Sequence, residues 1–281
     1  EHTNMDDERL ANFLIEETKT LLSSSSNKLS EVAGFGIGVP GLVTEEGFNP
    51  FSRTVFNRHI NIAPLLREKL HKNLVLLNDV DLELISELDR RDLLDNTDTV
   101  AVYLSIRPRG QDKQGISVGG GVWYRGNLLH GSGSAAEFGH TSTSIGSDLA
   151  EDNKPACKCG NSFCFESFLN HQIKKSRKVS GVDKEPMEDA VVEKLRDLTL
   201  VFNPSHLFLD LSGIERDTKT LVSRINAELD NLSSVLANEP PNFVSLSDEE
   251  MRCSRGGAIA ILKMLLNDKE LFWNTLDQVE V

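Results

Sequence analysis

The sequence predicts an α/β protein, and three observations carry that reading. Short apolar runs rich in β-branched residues alternate with longer stretches of helical periodicity. Glycine and proline signals separate the two kinds of segment. The 281 residues suffice for a sizeable core, as one large domain or as two lobes.

In chain order, Leu10, Phe13, Leu14, Leu21 and Leu22 recur at near-helical spacing within "MDDERLANFLIEETKTLLSS". "SSSSN" (23–27) reads as a linker. "VAGFGIGVPG" (32–41) reads as a buried strand entering a glycine-proline turn. "NLVLLND" (73–79) is a strand that ends on polar residues, and "DLELISELDRRDLL" continues as a helix. "TVAVYLSI" (99–106) is a strand, "RPRGQDKQG" a polar excursion, and "ISVGGGVWYRGNLLHG" a hairpin turning at Arg125-Gly126-Asn127. "EDAVVEKLRDLTLVFNP" is a helix stopped near Pro204. The strand "HLFLDL", the helix "DTKTLVSRINAELDNL", the strand "NFVSL" and the closing helix "RGGAIAILKMLLND" follow. No internal repeat of solenoid length is present. The organisation expected is an N-terminal lobe over 1–130, incomplete at its start, and a C-terminal lobe over 131–281. The polar stretch "KKSRKVSGVDKEP", near 168–190, is a further candidate boundary.

Charge and composition exclude several classes. The formal net charge is −13, and nothing resembles a basic stripe with interleaved aromatics, so these residues do not hold nucleic acid by themselves. No apolar run approaches a membrane span, and the first residues lack the basic start and apolar core of a signal peptide. A cytoplasmic protein is expected.

Three of the four cysteines fall in "ACKCGNSFCFE" (156–166), at Cys157, Cys159 and Cys164. Such clustering is not a disulfide framework; in a reducing compartment it signals metal binding or redox chemistry. Cys-x-Cys-x4-Cys supplies three thiolates, Gly160 allows the sharp turn between them, and His140 in "AAEFGHTS" offers a fourth ligand. A filled Cys3His site would hold structural zinc. The alternative is a set of buried or redox-active thiols. Zinc is favoured because thiolates this close repel one another unless a cation neutralises them. Cys253, alone near the last helix, reads as a small core residue.

Together these residues resemble the ROK family of sugar kinases and sugar-responsive transcriptional regulators. The family carries Cys-x-Cys-Gly-x-x-Gly-Cys-x-Glu preceded by Glu-x-Gly-His. Here the matches are "CKCGNSFCFE", with Phe163 in place of the usual glycine, and "EFGH". "GIGVPG", "NDVDLELISE" and "GGGVWYRGNLLHG" agree in order, from about residue 30 to 170, and more loosely through "NPSHLFLDL" to "RGGAIA". The resemblance implies an actin-like, ribonuclease-H-like pair of α/β lobes with a cleft between them. It implies a structural zinc, and sugar contacts by Asn78, Asp79, Glu137, His140 and Glu166, with His140 also beside the metal. It implies a homodimer or tetramer. Carboxylates and amides suit that role, because they read hydroxyls as directed hydrogen bonds. Each residue also has a simpler reading. Asp79 could cap the following helix. Glu166 could be a surface charge, His140 an ordinary core histidine, and Gly36, Gly38 and Gly41 could serve turn geometry alone.

In the family's kinases the counterpart of Asp79 is the general base that activates a sugar hydroxyl. Phosphoryl transfer also needs a phosphate cradle and Mg2+. The family's opening Asp-x-Gly-Gly-Thr does not occur here. Its Gly-Thr-Gly-x-Gly appears as "GISVG" (115–119), with Ile116 in place of the threonine and Ser117 in place of a glycine. An eight-residue polar stretch, 107–114, precedes it. The distal glycine-rich loop reads "LDLSGIE". ATP and Mg2+ are therefore not expected, and the reading is the sugar-binding effector domain of a ROK regulator. An ATP-dependent hexose or amino-sugar kinase is the alternative. The regulators bind DNA through a winged helix-turn-helix, which the single acidic helix before residue 30 cannot supply. The chain then either lacks that head or never had one, and the absence of earlier strands beside the Gly36 strand favours a fragment.

Overall fold

The computed structural model describes residues 5–44, 49–52, 58–109, 115–131, 135–146, 155–157, 159–178, 185–214, 218–236, 239–247, 249 and 251–276. Along the chain run α1 (Asp7–Ser24), β1 (Gly34–Val39), β2 (Asn49–Ser52), β3 (Arg58–Ile60), α2 (Ala63–Leu70), β4 (Asn73–Asn78) and α3 (Asp79–Asp89). Then come β5 (Val100–Arg109), β6 (Gly115–Tyr124), β7 (Asn127–Leu128), α4 (Phe165–Lys178) and α5 (Glu185–Phe202). The last are β8 (His206–Asp210), α6 (Thr218–Leu236), β9 (Asn242–Leu246), α7 (Arg252–Asn267) and α8 (Lys269–Leu276). No helix among the described residues is long and apolar enough to cross a membrane.

Contacts divide the described residues into two units, one within 1–94, 130–135 and 250–281, the other within 95–129 and 136–249. This differs from the expected lobes of 1–130 and 131–281. The β5–β6 pair belongs with the later sheet, because β5 pairs in parallel with β8, and α7 returns to pack on β1. The proposed boundary near 168–190 falls inside the second unit. There α4 forms because Phe165, Phe168 and Leu169 lie fully buried on one face, although its outer face is basic and polar.

In the first unit β1 and β4 pair in parallel, from Gly34 opposite Asn73 to Val39 opposite Asn78. β2 and β3 form a separate antiparallel pair. Leu10 and Ile15 of α1, Leu66 of α2, and Leu74 and Leu76 of β4 share one core, while Leu21 is exposed as α1 outruns that core. Asp6 caps α1 by accepting from Arg9 N–H at 2.8 Å. Helix α7 lies against both α3 and β1 at backbone distance. A Cβ on Gly36 would come within 2.1 Å of the Gly257 carbonyl oxygen, and one on Gly256 within 1.7 Å of the Leu82 oxygen. Gly36 thus serves close helix–strand packing rather than a turn. Gly41, with φ +98°, does serve the turn. Between the same helices Glu87 is buried and accepts from Arg252 Nε at 2.7 Å and Arg91 Nη1 at 2.5 Å. Alanine normally stabilises a helix interior by about 1 kcal/mol over glycine. Gly256→Ala is expected to reverse that sign and cost about 3 kcal/mol, because the methyl has only backbone to displace; urea unfolding reads it.

The second unit is a five-stranded sheet in the order β7-β6-β5-β8-β9. β5, β6 and β7 are antiparallel neighbours, and β5, β8 and β9 are parallel. This order is the ribonuclease-H-like one. β5 is central, and its residues Ala101 through Ile106 are all buried, which explains a run with no polar alternation. Arg125 and Gly126 both have positive φ, +50° and +90°, the two-residue turn that suits the twist of β6 and β7. The polar excursion expected from 107 begins as strand, since β5 extends to Arg109; residues 110–114 lie outside the described ones. Val102, Leu104, Ile106, Leu207 and Leu209 pack with α4, α5 and α6 residues in one core.

Candidate functional site

The site is built on the outer edge of β6. Pro108 stands opposite Ile116 in the β5–β6 register and has no N–H to donate, so the backbone groups of Ile116 turn outward. Helix α4 covers them. Asn170 accepts from Ile116 N–H and donates to the Ile116 carbonyl, both at 2.9 Å. One helical turn earlier, Glu166 Oε2 accepts from Val118 N–H at 2.9 Å. Glu166 is therefore not a surface charge. One oxygen holds the sheet edge, and the other lies 3.9 Å from Arg109 Nη1.

Further along this edge the chain returns as residues 136–140. A Cβ on Gly120 would meet the Ala136 oxygen at 2.4 Å, and one on Gly139 the Val118 oxygen at 2.9 Å, so the two bare backbones permit the approach. A 3-10 turn, Phe138–His140, then presents Glu137 and His140 side by side, with Glu137 Oε2 3.8 Å from His140 Nε2. The Glu137 carboxylate is half-buried, its side chain 40% exposed. Burial raises its pKa; His140 opposes that shift and Glu166 adds to it. Glu137, His140 and Glu166 thus lie near one another.

The other ring nitrogen of His140 faces the thiols. Its Nδ1 lies 3.3 Å from Cys157 Sγ, and Cys159 Sγ lies 3.4 Å from Cys164 Sγ. All four ligand atoms fall within 4.8 Å of one another. A tetrahedral zinc with sulfur ligands at about 2.3 Å needs neighbours roughly 3.8 Å apart, so the set fits that ion with every position filled by protein. Local hydrogen bonds form the cage. Cys157 N–H donates to Asn161 O at 2.9 Å, Gly160 N–H to Cys157 O at 3.1 Å, and Phe165 N–H to Thr141 O at 2.8 Å. Burial, then the neighbouring sulfurs, pushes the Cys164 thiol far above its ordinary pKa, and burial raises Cys157 too. Thiols in that state need a cation to give up their protons.

Phe163 has φ +70°, the left-handed conformation that glycine adopts without strain, so the backbone keeps what the side chain departs from. The ring is buried and meets Phe168 edge-on at 5.6 Å. Losing a buried phenylalanine costs about 3–5 kcal/mol and left-handed strain about 1–2. Phe163→Gly is therefore expected to destabilise by about 2 kcal/mol in denaturant unfolding, although it restores the family residue.

Asn78 and Asp79 lie in the first unit. The helix cap is Asn78, not Asp79: its Oδ1 accepts from Val80 N–H and its Nδ2 donates to the Gly41 carbonyl, both at 2.8 Å. Asp79 opens α3 and is fixed in place by that cap. Cys253 is half-buried; a Cβ on Gly38 would come within 2.4 Å of its sulfur. Two of the residues that the sequence set against the family's phosphate loops lie in the second unit. Ile116 is 1% exposed, within the apolar core, and Gly213 N–H donates to Ile106 O at 2.8 Å. A Cβ on Gly213 would lie 2.8 Å from Ile116 Cγ2.

The model of the ROK family matches residues 1–188. The chain belongs to the ROK family. It is 26% identical over 151 residues to a glucokinase of Halalkalibacterium halodurans, across 53% of this chain and 41% of that relative's length. It is similar in structure to a ROK hexokinase from Thermus thermophilus, with a TM-score of 0.66 and 18% identity over 93% of this chain and 88% of that one. It is likewise similar to a ROK family transcriptional regulator, a homologue of the E. coli MLC protein. There the TM-score is 0.70 and the identity 18%, over 96% of this chain and 71% of that one. The fold is accordingly the two-lobed actin-like fold, and within the family both kinases and regulators are similar to this chain.

Proposed function

We propose that this chain is the sugar-binding effector domain of a ROK-type regulator, whose full-length form binds DNA under the control of a sugar or sugar phosphate. The observation that carries the reading is the half-buried Glu137 carboxylate, 3.8 Å from His140 Nε2 and within the electrostatic reach of Glu166. A half-buried carboxylate in this position can accept from the hydroxyls of a sugar. The family resemblance adds Asn78 and Asp79 to the proposed sugar residues and self-association as a dimer or tetramer; a cytoplasmic setting, the expectation from the sequence, completes the reading. Zinc on His140, Cys157, Cys159 and Cys164 would fix His140 and so the sugar-reading segment; every position is taken by protein, which fits a structural ion. Buried Ile116 and the spent Gly213 N–H support a domain that does not cradle phosphate, since neither can bond an anion.

A second reading, an ATP-dependent sugar kinase with Asp79 as general base, is favoured by the glucokinase similarity and by Asp79 at the head of α3. A thermal-shift panel of hexoses, amino sugars and their phosphates, with and without Mg-ATP, separates the two. The regulator reading expects a rise in melting temperature with one sugar class and none with Mg-ATP. Stabilisation by Mg-ATP, or by no sugar at all, would refute it.

A further inference from the structure

Helix α5 carries two consecutive charged residues, Glu193 and Lys194, that face the metal segment. Lys194 is 3% exposed. Its Nζ donates to Thr141 Oγ1 at 2.7 Å and to the Ser142 carbonyl at 3.0 Å, and lies 5.5 Å from the centre of the Phe165 ring. The Glu193 carboxylate accepts from Ser144 N–H at 2.7 Å, the Ser144 hydroxyl at 2.8 Å and the Thr143 hydroxyl at 3.4 Å. Four successive residues, 141–144, are thus tied to one turn of α5, starting at the residue after His140. On their other side Ser142 bridges to Cys164, and Cys164 Sγ donates to the His140 carbonyl at 3.3 Å.

A buried lysine is costly, and burial lowers the pKa of Lys194 against the opposing charges of Asp197 and Glu193. A reason for accepting that cost lies in the ligand set. Three thiolates and one Zn2+ leave a net charge of about −1, which a nearby ammonium offsets. We propose that Lys194 and Glu193 are positioning residues of the metal centre, holding the 141–144 strip so that His140 and Cys164 face one ion. This rests on the metal reading above.

The test is titration of the full chain with cobalt(II), followed by visible absorption, with zinc competition for affinity. Lys194→Met, Glu193→Gln and Thr141→Val are compared with the wild type. The two near-isosteric variants carry the test if Lys194→Met does not fold. Outer partners of metal ligands typically change affinity about ten- to a hundredfold, and a weakening of that size is expected. The cobalt spectrum is also expected to move away from that of three sulfurs and one imidazole as His140 loses its register. A merely structural anchor would lower stability and leave that spectrum unchanged. Variants with wild-type affinity and spectrum overturn the proposal and leave the metal reading standing. A wild type that binds neither cobalt nor zinc overturns both.

Discussion

Replacing Cys159 with serine is expected to lower the melting temperature of the second unit by about 10 °C and to make it insensitive to chelator. Cys159 is only half-buried, so the loss of packing is small, and the effect comes from the ion. A ligand at about a thousand times its dissociation constant stabilises by about 4 kcal/mol. For domains of this size each kcal/mol moves the midpoint by about 2–4 °C. Wild-type protein treated with EDTA should melt like the variant, and zinc should restore the wild type alone. The cage forms from local turns and backbone bonds around Cys157, Gly160 and Phe163, with His140 as the ligand from upstream. Scanning calorimetry of the four samples reads the result; equal midpoints with and without EDTA would refute the metal.

Glu137→Gln is expected to weaken sugar binding about a hundredfold without unfolding the protein. A carboxylate that accepts from two hydroxyls loses roughly 1.5 kcal/mol per charge-assisted bond when it becomes an amide. Stability should hold or rise slightly. Burial raises the folded-state pKa of Glu137, so its favourable contribution belongs to low pH and is lost as pH rises through that value. At neutral pH the ionised group is a liability that glutamine removes. Titration calorimetry with the stabilising sugar, beside a melting curve, separates the two effects. Unchanged affinity would remove Glu137 from the site.

The strands other than β2 and β3, and the helices other than α2, α4 and α8, were legible because their signals are local: the apolar run of β5, the Arg125-Gly126 turn, the periodicity of α5. The cysteine cage was legible for the same reason, since its ligands lie within one short loop and its upstream neighbour. What was hidden depends on contacts distant in sequence. Helix α4 overlaps the stretch read as a candidate boundary, because only its inner face, Phe165, Phe168 and Leu169, reports burial. The two contact units differ from the expected lobes because β5 pairs with β8, about a hundred residues on. Gly36 looked like a turn residue until Gly257 met it. Glu166 was expected at the sugar and also holds a strand edge. Asn170, Glu193 and Lys194 gave no sequence signal, because a glutamate or lysine on a helix normally faces water.

The measurement that tests the account most directly is ATP turnover by the protein as its own cells make it. It is assayed with the sugar that stabilises it, at a saturating concentration. The account predicts bound sugar, read as heat, and no sugar phosphate above the uncatalysed background. Phosphorylation at ordinary kinase rates, about 1–100 s−1, would contradict it. The buried Ile116 and the occupied Gly213 N–H would then have to be compatible with a bound nucleotide.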